Sequence, residues 1–173
     1  GQKVLIYGAS GGVGTFAIQI AKAFGAEVTG VCSTRNVEIL RSIGADHIID
    51  YTKERLTQHQ EYYDLVLGVN GSNPLSAYKR ILKPNGKFVH VGGSESQLYQ
   101  TLFLGPFISM TGSKKITSLL QRANQKDLND LKELLETNKV KPIIDKRFNL
   151  GEITEAFKYF QEGHAQGKVV ITI

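Results

Sequence analysis

Residues 4–14 read VLIYGASGGVG, and no other stretch narrows the choice of fold as much. Val4, Leu5, Ile6 and Tyr7 form a short apolar run with the length and character of a buried strand in a parallel sheet. Gly8, Gly11, Gly12 and Gly14 crowd into the next residues. Val13, Phe16, Ala17, Ile20, Ala21 and Phe24 then recur at helical spacing. That spacing predicts one inward apolar face, with Gln19 and Lys22 turned away from it.

The order strand, glycine turn, helix has a chemical consequence. A helix start carries unpaired N–H groups and a partial positive charge. Glycines let the chain turn sharply and admit a phosphate to those groups. Gly11 and Gly12 are expected nearest a pyrophosphate, with Ser10 adding a hydroxyl. Gly14 is expected to let the helix pack closely on the strand. The plain alternative is a βα turn that needs glycine for geometry alone. The flanking strand and amphipathic helix favour a nucleotide phosphate site.

Composition removes other classes. A chain of 173 residues holds one domain with a sizeable core. With 41% hydrophobic and 21% charged residues it reads as a soluble globular protein, and no apolar run reaches bilayer length, so no membrane partner is expected. Cys32 is the one cysteine, which excludes an internal disulfide and a cysteine-rich metal site. No metal is expected, and a reducing compartment, the cytoplasm, is. The net charge is +5, yet Lys and Arg are scattered without a dense run. No nucleic-acid partner is expected, and the mild excess suits a phosphate-rich cofactor. The chain opens on Gly1 and reaches a strand within a few residues, as a fragment cut at a domain boundary would.

Farther along, Glu27 to Cys32 predicts a second strand. An acidic residue about 20 positions after such glycines holds a ribose 2′-hydroxyl, whereas an Arg accommodates a 2′-phosphate. Cys32-Ser33-Thr34-Arg35-Asn36 follows here, with no acid. The Ser33 and Thr34 hydroxyls and the Arg35 guanidinium are expected to bind a 2′-phosphate, which selects NADP(H). Ser33 or Thr34 also fits a helix cap. The missing acid speaks against a methyltransferase using S-adenosylmethionine.

Val37 to Ile43 predicts a short helix ended by Gly44, and Ala45 to Asp50 a third strand. Tyr51 falls at its carboxyl end, on the edge where open α/β sheets bind ligands, and a surface tyrosine is the alternative. Tyr63 to Val69 predicts the fourth strand, with Asn70 just beyond it, either at the ligand or in an Asn-Gly turn. Asn73 is expected to cap a helix starting at Pro74, and Lys83 to Gly86 to turn. Lys87 to Val91 predicts the fifth strand, with packed His90 inside it and Gly92-Gly93 at its end, open to a nicotinamide. Leu102 to Met110 is apolar but aperiodic, broken by Gly105-Pro106. It is ranked as core first, then lid, then an oligomer surface such as a homodimer's. Lys115 to Leu120 predicts the sixth strand, and Asp127 to Thr137 a helix with Leu128, Leu131, Leu134 and Leu135 on one face. Alternating strands and helices predict an α/β fold: a doubly wound, six-stranded parallel sheet of order 3-2-1-4-5-6 with helices on both faces. Pro142 to Phe148, Ile153 to Gln161 and Val169 to Ile173 predict a strand, helix and strand beyond what that fold needs.

Several strings together resemble one family, the zinc-independent quinone oxidoreductase branch of the medium-chain dehydrogenase/reductases. They are YGASGGVG, FGAEV, VCST, IGADHIIDY, KPNGKFVHVGG, VKPIIDKRFNLGEITEAF and GHAQGKVVITI, in family order along nearly the whole chain. The resemblance implies a Rossmann domain over residues 1–140 that binds NADPH. It implies a tail, residues 141–173, that returns to a catalytic domain absent from this chain. It implies Ser10, Gly11, Gly12 and Val13 at the pyrophosphate, Ser33 and Arg35 at the 2′-phosphate, and Tyr51 beside the adenosine end. Asn70 and Gly92 are implied near the ribose or nicotinamide. The implied chemistry is hydride transfer to a quinone, or to a C=C bond conjugated to a carbonyl, with no catalytic residue in this chain. Without its partner half the tail is expected to be displaced, partly disordered, or packed on the sheet or a neighbouring chain. Two other readings are an enoyl reductase module of a polyketide or fatty-acid synthase and a non-catalytic NADPH-binding interaction protein.

Overall fold

The computed structural model describes residues 1–59, 61–71, 73–93, 95–163 and 165–173. β1 (Lys3–Tyr7) runs through the glycine turn into α1 (Gly14–Ala23) and β2 (Glu27–Cys32). α2 (Val37–Ser42), β3 (His47–Asp50), β4 (Tyr63–Gly71), α3 (Leu75–Ile81) and β5 (Leu82–Gly93) follow. Then come α4 (Glu95–Thr111), β6 (Lys115–Ser118), α5 (Gln125–Glu136), β7 (Ile144–Asn149), α6 (Ile153–Gln161) and β8 (Lys168–Thr172).

The first six strands pair in parallel in the order β3-β2-β1-β4-β5-β6, as expected from the sequence. Parallel strands buried on both faces need apolar side chains on both, and β1 supplies them alternately. Leu5 joins Val31, Ile49, Val66, Tyr78 and Phe88 on one face. Val4 and Ile6 join Ile18, Val28, Leu40 and Val69 on the other. Tyr78 and Phe88 stack at 4.5 Å between ring centroids, and both are fully buried. Each such side chain contributes about 1.5–3 kcal/mol by leaving water. β1 and β4 are neighbours, so chain direction away from the sheet centre reverses between them. That opens a crevice at their carboxyl ends.

The Lys83–Gly86 turn is an excursion inside β5. Tyr63 pairs with Leu82 but Leu65 with Lys87, so the intervening residues loop out, with Asn85 at φ +64°. Lys83 Nζ anchors the loop to Asp64 at 2.7 Å. At α3 the residue before the first turn is Pro74, not Asn73, and it carries no side-chain cap.

Two apolar segments differ from expectation, those in α1 and α4. In α1 the buried residues are Gly14, Thr15, Ile18 and Gln19, while Val13 is 49% and Phe24 80% exposed. The face is turned because Thr15 and Gln19 are buried with their hydrogen bonds satisfied. Thr15 Oγ1 donates to Gly11 O at 3.1 Å and Gln19 Nε2 to Thr15 O at 3.0 Å. The stretch 102–110 lies in helix α4, with Pro106 inside it. Only part of it meets the core: Thr101 and Gly105 face the sheet and Ile108 packs against the core, while Leu102, Phe103, Phe107 and Met110 are exposed. Gly105 sits there because a Cβ would come within 3.0 Å of Ile116 O. α5 is capped by Asn124, whose Oδ1 accepts from Asp127 N at 2.9 Å, yet it buries no residue.

β7 and β8 lie outside the six-stranded sheet, in a second sheet of their own. β7 and β8 pair in parallel, with α6 between them in sequence. Gln19 ties the chain ahead of β7 to α1: its Nε2 donates to Lys141 O at 2.9 Å and its Oε1 accepts from Lys141 N at 2.8 Å. Gly167 N donates to Ser10 O at 3.0 Å, and Gly11 and Gly167 form a parallel bridge.

Candidate functional site

The glycine turn is close-packed, as its sequence requires. A Cβ on Gly14 would stand 2.3 Å from Gly8 O, and one on Gly8 2.0 Å from Val69 O, so only glycine lets α1 start this near β1 and β4. α1 begins without a side-chain cap and without an acid in its first turn. Its leading N–H groups and positive end therefore face the crevice unneutralised by side chains.

A cleft of about 530 Å³ opens there. Ser10, Gly11, Gly12, Val13, Ser33, Arg35, Tyr51 and Asn70 all line it. Gly92 does not line it. It lies at the end of β5 with φ +64°, and its neighbour Gly93 abuts the Asn70 backbone. Asn70 stays in strand β4, with φ +50°, where an Asn-Gly turn was the alternative. Tyr51 stacks on Tyr7 at 6.5 Å with 23° between planes, and its ring is half exposed. Tyr7, Val31 and Tyr51 also line a second cleft of about 460 Å³, which continues past Leu56 to Arg55 and Arg80.

Thr34 departs from its expected role. Its hydroxyl donates to Asp50 Oδ2, so it does not face an incoming phosphate as a free donor. Ser33 precedes the short 3-10 turn Thr34–Asn36 and makes no cap.

The sequence reading missed four residues. Asn36 is buried and its Nδ2 donates to Ser10 Oγ at 2.8 Å and Ser33 Oγ at 3.3 Å. Gln166 Nε2 donates to Asn36 Oδ1 at 2.6 Å, which links the tail, through Asn36, to both candidate hydroxyls. Lys168 brings its Nζ within 3.0 Å of where a Gly12 Cβ would be, so a cation stands at the glycine turn. Asp50 accepts hydrogen bonds from Thr34 and Thr52, which hold its carboxyl down at about 2. Asn36 adjoins Arg35 in sequence, a signal available from the start. The others meet the site only through long-range folding. Cys32 also lines the cleft; burial, and then the Asp50 charge, push its thiol up to about 11, so it is neutral at physiological pH.

The zinc-binding dehydrogenase family model matches residues 43–171. The chain belongs to that family. Family membership agrees with the resemblance drawn from the motifs to the medium-chain dehydrogenase/reductases. The chain is 38% identical to the mitochondrial NAD(P)H oxidoreductase RTN4IP1 of Bos taurus, over all of this chain and 48% of that protein. It is 34% identical to the chloroplastic quinone-oxidoreductase QR1 of Triphysaria versicolor, over 98% of this chain and 52% of that one. Among solved structures, the quinone oxidoreductase from Coxiella burnetii superposes with a TM-score of 0.86 at 29% identity. That match covers all of this chain and 53% of the other. The CurK enoyl reductase superposes with a TM-score of 0.75 at 29% identity, over 99% and 55%. This family member spans about half the length of the curated relatives it matches. Among the described residues, no three His, Cys, Asp or Glu side chains are grouped to hold a metal. Among them, too, no helix is long and apolar enough to cross a membrane.

Proposed function

We infer that the chain is the NADPH-binding domain of an oxidoreductase that reduces quinones or C=C bonds conjugated to a carbonyl. The observation that carries this reading is one cleft at the β1–β4 crevice, lined by an uncapped helix start and by Ser33 and Arg35. Relatives named NAD(P)H oxidoreductase and quinone oxidoreductase support it. Bound there, the reduced nicotinamide supplies the hydride. The chain's own residues bind and orient. The Gly11–Val13 backbone and Ser10 hold the diphosphate, while Ser33 and Arg35 hold the 2′-phosphate. Tyr51 flanks the adenosine, and Asn70, with Gly92 beyond it, lies toward the ribose and nicotinamide.

Residues 1–140 form the cofactor domain, and the 141–173 unit offers α6 to a catalytic half. Ile153, Phe157, Phe160, Val169 and Ile171 line a shallow apolar groove on it. No side chain in the chain is assigned a catalytic role. Alone the chain binds NADPH and turns over little, since placing the second reactant supplies much of the rate. The exposed apolar side chains of α4 support a homodimer, and the buried thiol supports a reducing compartment, the cytoplasm. The likeness to the CurK enoyl reductase supports one second reading, an enoyl reductase module.

Calorimetric titration with NADPH and NADH tests the assignment. Wild type is expected to prefer NADPH, and Arg35→Ala to weaken NADPH about 10–100-fold while leaving NADH nearly unchanged. Equal affinity of wild type for the two cofactors removes the 2′-phosphate reading.

A further inference from the structure

The two loops assigned above to the 2′-phosphate and to the adenosine are fastened to one carboxylate. Asp50 ends β3 in register with Cys32, which ends β2. Its side chain is 11% exposed. From the loop after β2, the Thr34 hydroxyl donates to Oδ2. From the loop after β3, Thr52 donates twice to Oδ1, by its hydroxyl at 2.6 Å and its backbone N–H at 3.0 Å. The two threonine oxygens are 2.9 Å apart, and Lys53 Nζ stands 3.5 Å from Oδ2. Thr34 lies between Ser33 and Arg35 in the chain, and Thr52 follows Tyr51.

A bare carboxylate beside a phosphate site would repel the ligand. This one is engaged by donors on both oxygens, and each donor sits next to a residue proposed to meet the cofactor. Arg35 and Tyr51 follow different strands; the Tyr51 N–H donates to Cys32 O at 3.0 Å at the strand ends, and beyond that point Asp50 is what links the Thr34 and Thr52 side chains of the two loops. We propose that Asp50 is a positioning residue for cofactor discrimination, pinning the Ser33–Arg35 and Tyr51–Lys53 loops together so that Arg35 meets the 2′-phosphate of the adenosine that Tyr51 flanks. The proposal rests on the 2′-phosphate reading above. Asp50 itself touches no cofactor; it acts through Thr34 and Thr52.

The test uses the chain with two probes, adenosine 2′,5′-bisphosphate and adenosine 5′-monophosphate, which differ by the 2′-phosphate alone. Titrations on wild type, Asp50→Ala, Asp50→Asn and Thr52→Val accompany melting curves. Wild type is expected to bind the bisphosphate at least about tenfold tighter, as a charge-assisted contact to an extra phosphate requires. Asp50→Ala is expected to bring that ratio within about threefold by weakening the bisphosphate alone, because misplacing the Ser33–Arg35 loop costs contacts made only to the 2′-phosphate. Asp50→Asn keeps an acceptor oxygen and adds an amide donor to a threonine hydroxyl, so it recovers part of the ratio; Thr52→Val falls between. If Asp50→Ala does not fold, the Asn and Val variants decide by the same ratio. An unchanged ratio, or equal weakening of both probes, overturns the clamp. A wild-type ratio near one overturns the underlying 2′-phosphate reading and the clamp with it.

Discussion

The sheet around the glycine turn and the segment from α4 to α5 are both rich in large apolar residues, but they use them differently. Around the turn, Leu5, Ile6, Ile18 and Phe88 are sealed between strands and helices on both faces. In α4 and α5, Phe103 is 77%, Met110 86% and Leu128 58% exposed. A helix becomes amphipathic through its own sequence, but its apolar face is buried only where another element meets it. α4 meets β6 and β5 through its narrow Thr101–Ser109 edge, and α5 meets little of this chain. The first region is stabilised from within; the second presents surface.

Truncation should therefore separate the two regions sharply. Phe88→Ala is expected to cost about 3–5 kcal/mol, because the ring is fully enclosed and stacked on Tyr78. Urea unfolding reads the loss, and a cost below about 1 kcal/mol would break the contrast. Gln19→Leu probes the boundary between the sheet and the tail. It removes both hydrogen bonds to the Lys141 backbone and is expected to cost about 1–2 kcal/mol. Hydrogen exchange should quicken in residues 141–173 ahead of β1 and β4.

How far each region could be read in advance follows from the same difference. Apolar runs and glycines placed the first six strands; the missing acid after β2 pointed to Ser33 and Arg35 and the carboxyl-edge rule to Tyr51 and Asn70, and all four line one cleft. The inward face of α1 was misread because Thr15 and Gln19 are polar yet buried, satisfied by partners that hydropathy does not show. Asn36 and Asp50 escaped notice because what matters about them is a contact far along the chain, Gln166 for one and Thr34 for the other. α4 defeated the pattern because its sheet-facing side mixes Thr101, Gly105 and Ser109 with a single large apolar residue, Ile108, while Leu102, Phe103, Phe107 and Met110 point outward.

Acid sharpens the comparison further. The Asp50 carboxyl is lowered from 3.8 to about 2 by hydrogen bonds from Thr34 and Thr52. A depressed folded-state pKa adds stability that is present above 3.8 and lost as pH falls through about 2. The melting temperature should fall across that window, and the fall should be smaller in Asp50→Asn; an identical fall would remove Asp50 from the account. The smallest effect belongs to the exposed region. Leu128→Ala should change stability by less than about 0.5 kcal/mol in the isolated chain. A loss of about 2 kcal/mol would mean that α5 is covered after all.

The glycine turn carries the central claim, and amide chemical-shift mapping during titration with NADPH reaches it most directly. The largest shifts are expected at Gly11, Gly12 and Val13, followed by Ser33 and Arg35, with α5 unmoved. Saturable binding that leaves those amides unshifted and perturbs another face would contradict it.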